Sequence, residues 1–379
     1  MPWKEMTTMS LRTEFVQMAK LDRANISQLC SRFGISRKTG YKWLRRYQEE
    51  GESGLADRSR RPHHSPRHSP AGVEAIVVAM REKHPAWGGR KIKVCLEREG
   101  YTEVPSASTI TAILGRNGRI DPEEGRKHRP FQRFEMEQPN QLWQTDFKGY
   151  FAMEEGGYCH PLTVLDDHSR FLVGLKACSN QTRQTVQEQW MEIFRSYGLP
   201  ERMLMDNGSP WGDDADTHHT ILTAWLIRLG VQVIHGHPYH PQTQGKDERL
   251  HRTLQEELLS RHTLNNLPDC QLRFDHWRDV YNFERPHEAL DMNPPASRYQ
   301  LSSHPFPEVL PPILYDTNDI VRKVDATGKI YFHNHSFRVG KAFRHSPVAL
   351  RPTDYDGVYD VIYCSQKVAQ LNLREDNYS

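Results

Sequence analysis

The chain holds 379 residues, enough for two to four domains with a core each. No apolar run is long enough for a membrane span and the opening MPWKEMTTMSLRTEF lacks the apolar segment of a secretory signal, so work in the cytoplasm is expected. Formal charge is close to balance at +2, and six scattered cysteines without a C-x-x-C pair argue against a disulfide framework and a zinc finger, which leaves buried free thiols as the expectation.

The charge is unevenly spread. Residues 1–135 carry 26 Lys plus Arg against 16 Asp plus Glu, leaving 24 against 32 in the rest. The front therefore suits a polyanion, and the acidic back is compatible with a metal site. Residues 1–53 form the first predicted domain. In NISQLCSRFGISRKTGYKWLRRYQEEG, residues 25–51, two short helices are predicted around Gly34, with Ser27 and Ser36 as N-caps and Gly51 closing the second. Tyr41, Leu44 and Tyr47 recur at three-residue steps as a buried stripe, which leaves Arg37, Lys38, Lys42 and Arg45 facing solvent as candidate DNA contacts. Charge and turn together give a helix-turn-helix whose second helix enters the major groove; the bland alternative is a solvated basic helix in a bundle.

Residues 54–70, GLADRSRRPHHSPRHSP, read as a basic linker. His63, His64 and His68 have no Cys or acidic neighbours, so a phosphate-touching tether is a better reading than a metal site. Residues 71–120 hold three helical segments, AGVEAIVVAMREKHP, GGRKIKVCLEREG and PSASTITAILGRNG, the last capped by Ser106 or Ser108. They predict a second, winged or plain, helix-turn-helix-like domain. Residues 121–139 are a charged, Pro-containing linker.

From residue 140 to 300 the pattern turns to β-rich runs, LWQTDFKGYF, YCHPLTVLDD and RFLVGLKACS, followed by alternating helices and strands. This predicts a mixed sheet covered by helices. Asp166 and Asp167 read as a hairpin turn, and Trp143 and Trp211 as core anchors. Residues 301–317 are a Pro-rich linker, and 318–379 carry short alternating runs with turn signals at DATGK and Asp356-Gly357, predicting a small β-barrel. The chain as a whole reads as multi-domain α+β.

Three carboxylates stand out. Asp146 lies inside an apolar strand, where a charge must be paired or coordinated. Asp206 follows MLM and opens Asn-Gly-Ser, at a strand's C-terminal tip, where α/β sheets gather ligands. Glu248 sits in the first turn of a helix that follows HPYHPQTQGK. In that helix Leu250, Leu254 and Leu258 form the buried stripe, with Glu248, Arg252 and Gln255 on another face. Glu256 and Glu257 read as solvated, and Arg285 and His287 as a helix cap.

The segments LWQTDF, MDNGSPW and HPQTQGKDE, in this order and 60 then 42 residues apart, resemble the catalytic core of retroviral integrases and of the bacterial insertion-sequence transposases that share it, the DDE recombinases. HPQTQGKDER and YNFERPHEAL look closest to the bacterial branch. The resemblance covers residues 140 to about 295. It implies an RNase H-like core in which Asp146, Asp206 and Glu248 coordinate two Mg²⁺ or Mn²⁺ ions for 3′-end cleavage and strand transfer of DNA. Residues 241–245 would form a mobile loop, with Tyr239, Gln244, Lys246 and Arg252 as DNA contacts. The implied partners are double-stranded DNA, both element ends and target, and further copies of the chain, at least a dimer. The Asp-to-Glu interval is longer than in the retroviral pattern, WGDDADTHHT offers Asp213, Asp214 and Asp216 as competing carboxylates, and no His-His-Cys-Cys domain precedes the core. The rival readings are a DNA-binding regulator derived from a transposase without catalysis, and a nuclease of the same fold that cuts without joining.

Overall fold

A computed structural model describes residues 8–22, 24–58, 69–120, 135–212, 219–236 and 245–374, in two compact units that divide after His68. Tyr239, Gln244, the loop 241–244, His63, His64, His68, Asp213, Asp214 and Asp216 lie outside the described residues.

The first unit packs α1 (Thr8–Ala19), α2 (Ile26–Arg32) and α3 (Arg37–Glu50). Helix α1 was not among the expected elements; its Phe15 and Val16 are buried. Helix α2 begins at Asn25, whose side chain accepts the Ser27 and Gln28 N–H groups, so Asn25 and not Ser27 is the cap. Ser36 caps α3 as expected, and Gly51 ends it at φ +67°. The buried stripe of α3 is offset from the expected one. Gly40 and Trp43 are buried, Leu44 and Tyr47 half-buried, and Tyr41 is 59% exposed. The reason is close packing: a Cβ on Gly40 would stand 2.5 Å from Cys30 Sγ, so the helix presents its glycine to α2. Arg12 lies 4.1 Å from the Trp43 ring centre and bonds the Leu55 carbonyl at 2.8 Å, closing the unit.

In the second unit α4 (Ala71–Lys83), α5 (Gly89–Arg98) and α6 (Ala107–Arg116) fall where the sequence placed three helices, with Ser106 capping α6. Val77, Trp87, Ile92, Ile110 and Ile113 make their shared core. No strand accompanies them among the described residues, so the winged alternative is set aside.

The central sheet uses β1 (Trp143–Phe147), β2 (Phe151–Ala152), β3 (Tyr158–Asp166), β4 (Leu172–Cys178), β5 (Arg202–Met205) and β6 (Gln232–His235). Its order is β4-β3-β1-β5-β6, with the short β2 also on β3. β4, β3 and β1 run antiparallel, whereas β1, β5 and β6 run parallel. Period-two alternation splits the side chains between the two faces. Leu162 and Val164 pack with Val186 and Trp190 of α7 (Arg183–Tyr197) and Leu222 and Leu226 of α8 (Ile221–Arg228). Cys159 and Leu165 pack with Leu250 and Leu254 of α9 (Gly245–Leu254) and Phe274 and Trp277 of α10 (Leu267–Asp279). Trp143 and Trp211 are fully buried anchors, as expected.

The expected C-terminal barrel is not formed. β7 (Ile320–Lys323), β10 (Pro347–Pro352), β11 (Val358–Tyr363) and β12 (Gln366–Asn372) make an open antiparallel sheet of order β12-β11-β10-β7. β8 (Lys329–Phe332) and β9 (His335–Arg338) form a separate hairpin. Asp356-Gly357 does join a hydrogen-bonded pair, β10 and β11. The DATGK turn also forms, with the Asp325 carboxylate accepting the Thr327 and Lys329 N–H groups, but the strands it joins pair elsewhere. Closure is unnecessary because Val348, Leu350, Val361, Tyr363 and Leu371 bury their side chains in the same core as Trp190 and Leu226. The Gln366 amide bonds both the N–H and the carbonyl of Val233 on β6, at 2.9 and 3.0 Å.

Candidate active site

Strand register sets the first two carboxylates. Trp143 pairs with Met203 and Gln144 with Leu204 in the parallel β1–β5 ladder. Asp146 and Asp206 each lie two residues beyond the last pair, so both stand at the C-terminal ends of adjacent strands. Burial pushes the Asp146 carboxyl up to about 6, with Asp206 adding to the shift and the Phe147 N–H, 2.8 Å from Oδ1, opposing it. Asp206 is likewise raised by burial, against the Gly208 N–H at 3.1 Å and nearby His235. The turn after β5 is held by Asn207, which donates to the Gly236 carbonyl at 2.8 Å, and by His235 Nδ1, 3.0 Å from the Asp206 carbonyl.

Helix α9 runs along β1: Lys246 in its first turn pairs with Asp167 beside the start of the strand, and His251, one turn on, lies against Asp146. Its inward side carries Asp247, Leu250, His251 and Leu254; its outward side carries Glu248, Arg249 and Arg252. Glu248 has a side chain 69% exposed and pairs with Arg252 at 3.2 Å, so Arg252 is engaged within its own helix. Asp247 is 3% exposed, and its Oδ1 has no hydrogen-bond partner among the described residues. Burial holds its carboxyl well above the usual carboxylate range, with Asp146 and Asp167 adding and Lys246 opposing. His251 Nε2 lies 2.9 Å from Thr163 Oγ1, and its Nδ1 is 4.0 Å from Asp146 Oδ2. Burial, assisted by Lys148, lowers the imidazole to about 4, so it is neutral at neutral pH.

Lys246, expected to contact DNA, points inward and pairs with Asp167. Asp166 and Asp167 do form the β3–β4 turn, but both are fully buried. Asp166 accepts from Ser169 and Asn140, and Asp167 from Gln144 Nε2 at 2.7 Å and the Met136 N–H at 2.8 Å. Glu256 is exposed, as expected. Glu257 is half-buried, and Arg285 Nε at 3.0 Å and the Trp277 indole at 3.2 Å take up its oxygens. Arg285 also closes its helix as expected, its N–H donating to the Val280 carbonyl at 2.8 Å while its side chain pairs with Glu257. In the first unit Arg37, Lys38, Lys42 and Arg45 are all exposed on α3. All six cysteines are free, five of them buried.

Of the three sequence-predicted carboxylates, Asp146 and Asp206 are brought together, while Glu248 stands on the solvent side of α9. Among the described residues no three ligating side chains close tightly enough to hold an ion. The donors nonetheless suit a hard cation: Asp146 and Asp206 offer carboxylate oxygens, and Asp247 Oδ1 is a buried acceptor without a hydrogen bond among the described residues. Sequence reasoning missed Asp247 and His251. Stepping the Leu250–Leu254–Leu258 stripe back by three residues reaches Asp247, and that was the available signal. No helix among the described residues is long and apolar enough to cross a membrane.

Comparison with known proteins agrees with this layout. Residues 136–241 and 229–295 each match an Integrase core domain, 11–63 a Helix-turn-helix domain, 39–114 a Homeodomain-like domain, and 319–379 the IS481 family transposase, C-terminal domain. The transposase for transposon Tn552 of Staphylococcus aureus is 26% identical over 93% of this chain and 78% of its own length. An uncharacterized 31.7 kDa protein of insertion element IS407 of Burkholderia multivorans is 25% identical over 61% of this chain and 82% of its own. A simian T-cell lymphotropic virus intasome chain aligns at 15% identity and a TM-score of 0.37, over 77% of this chain and 99% of that one. Matches to helix-turn-helix modules, an integrase core and an IS481-type C-terminal domain thus follow one another along this chain, and with the Tn552 and IS407 relatives they support a bacterial insertion-sequence transposase.

Proposed function

We propose that the chain is an active transposase that cleaves DNA at the 3′ ends of its element and joins those ends to target DNA, with Asp146, Asp206 and Glu248 as the catalytic carboxylates. The observation that carries the reading is the side-by-side placement of Asp146 and Asp206 at the ends of two parallel strands, with α9 reaching Asp146 through His251. Two divalent cations, Mg²⁺ or Mn²⁺, would supply Lewis acidity for in-line displacement at phosphorus. The residues' part is to hold and orient. Asp146 and Asp206 would present oxygens from their strand ends, His251 props the Asp146 side through Thr163, and Glu248 would meet substrate from the exposed side of α9.

In the first step a water oxygen bonds to phosphorus and the 3′ oxygen of the element end leaves with a proton. In the second, that 3′ oxygen bonds to a target phosphorus and displaces the target's own 3′ oxygen. One phosphodiester replaces another, so no external energy source is required. Arg37, Lys38, Lys42 and Arg45 on the exposed side of α3 would contact the element end, and joining two ends calls for at least two copies of the chain.

The test is a strand-transfer assay with end oligonucleotides and Mg²⁺. Joined, branched products are expected from the wild type, and Asp146→Asn, Asp206→Asn or Glu248→Gln should each reduce them at least a thousandfold, on the order of the loss for removing one essential group. Joining that survives all three substitutions would refute the assignment.

A further inference from the structure

A cavity of about 290 Å³ has no part in the reading above, although its walls continue the two elements that meet at Asp146. Thr163 lies opposite Asp146 in the β1–β3 ladder, and its Oγ1 stands 3.0 Å from the Asp146 carbonyl and 2.9 Å from His251 Nε2. Two residues past Asp146, the Lys148 N–H donates to the Pro161 carbonyl at 3.0 Å, and both residues line the cavity. One turn past His251 on the helix side comes Gln255, which lines it too. Strand alternation puts Asp146 and Lys148 on one face about 7 Å apart, so the cavity lies one step along the strand from the catalytic carboxylate.

Three features suit this cavity to a ligand. Helix α9 runs into a π turn, Gln255–Leu259, whose first and last residues both line the space, and such widened turns occur mostly at functional sites. The wall beyond is pre-formed, because the Glu154 and Glu155 N–H groups bond the Leu264 and Asn265 carbonyls at 3.0 Å each. Tyr150, at the edge, is 68% exposed and is braced by Tyr158, 55% exposed, with ring centres 5.2 Å apart and planes nearly perpendicular. Exposed aromatic faces with a lysine beside them are the combination that holds unpaired nucleic acid.

We propose that this cavity receives one unpaired nucleotide of the DNA strand whose adjoining phosphate lies at Asp146, with its base stacked on Tyr150 and its own phosphate against Lys148. The proposal rests on the transposase reading and adds to it a place for a nucleotide taken out of the duplex. A paired base cannot enter such a recess, so the strand must open there, at least cost where the duplex already ends. The volume is at the small end of the range for ligand pockets, about 300–1,000 Å³, and admits a single nucleotide in place of a stacked run.

Photo-crosslinking of the full-length chain tests this, with a short single-stranded oligothymidine carrying one 5-iododeoxyuridine and no divalent metal. The expected product joins the probe to the segment 149–170, which contains Tyr150 and Tyr158. Tyr150→Ala should reduce that product by about fivefold or more, the lower bound for one lost base stack. Lys148→Ala should reduce it comparably, and so should Thr263→Trp, which fills the cavity from an exposed lining position. Circular dichroism checks that each variant folds; if Thr263→Trp does not, Ala152→Trp at another exposed lining position takes its place. A product that maps only to other segments, or that is undiminished in any one of the three folded variants, would overturn the proposal. The photoreaction needs neither metal nor turnover, which separates the two levels. A chain that cross-links at 149–170 but joins no DNA keeps the pocket and loses the strand-transfer chemistry; one that joins DNA without this cross-link loses the pocket alone.

Discussion

Replacing Lys246 with Met keeps the aliphatic stem and removes the charge that ties the start of α9 to the β3–β4 turn. Its partner Asp167 is fully buried, so the substitution leaves an anion with less compensation than before. Breaking a buried pair from one side costs about 3–5 kcal/mol. Asp167 keeps the Gln144 amide at 2.7 Å and the Met136 N–H at 2.8 Å, which places the expected loss at the low end, about 3 kcal/mol. If that loss is felt as local opening of the first turn of α9, amide exchange there should accelerate by roughly a hundredfold. Hydrogen–deuterium exchange read by mass spectrometry on peptides covering residues 245–254 and 166–172 measures it. The reasoning is refuted if protection in both peptides is unchanged while DNA affinity drops and its salt dependence shallows by about one ion, since Lys246 would then be contacting a phosphate.

Two further outcomes follow from packing. Burial, with Lys83 adding, lowers the His84 imidazole to about 4, and the ring stacks on Trp87 with centroids 3.7 Å apart. The unfolded chain takes up the proton near the ordinary value of 6.5, before the native one does. Stability of the α4–α6 region is therefore whole above pH 6.5 and declines as pH falls toward 4, by at most about 3 kcal/mol. Urea unfolding from pH 7.5 to 4.5 should show this slope flattened in His84→Phe, and identical slopes would contradict the linkage. In the first unit, Gly40→Ala puts a methyl 2.5 Å from Cys30 Sγ and 2.9 Å from the Phe15 ring. Overpacking of about 1–3 kcal/mol should outweigh the helix propensity gained. Calorimetry should show the first unit's transition lowered and the rest unmoved; a raised transition would mean that the contact is easily relieved.

Much of this architecture was legible because local chemistry and fold agree. Ser36, Ser106 and Gly51 mark helix ends through hydrogen-bonding and backbone preferences that do not depend on distant contacts. The mixed sheet was legible from its β-rich runs and the helix–strand alternation after them, and so was Asp206 as the residue that follows the MLM strand. What sequence periodicity could not supply was phase and partnership. On α3 the helix turned by one position because a glycine allows closer approach than a tyrosine, so Tyr41 faces out. Glu257 looked solvated until Arg285, 28 residues on, arrived beside it, and Lys246 looked available until Asp167 did, from 79 residues before. The C-terminal strands failed as a barrel for a related reason: their apolar faces are completed by residues of the core, which strand-by-strand reading treats as a separate domain.

The Gln366 side chain has a meaning for solution behaviour. β6 is the last strand of a six-stranded sheet, and such a margin invites another chain to add itself. One carboxamide, donating and accepting at Val233, imitates a single rung of a neighbouring strand and uses up the groups an intruder would need. Losing Gln366 and the strand that carries it would leave that rung of β6 open to another chain, so the C-terminal sheet guards the margin of the core as well as extending it.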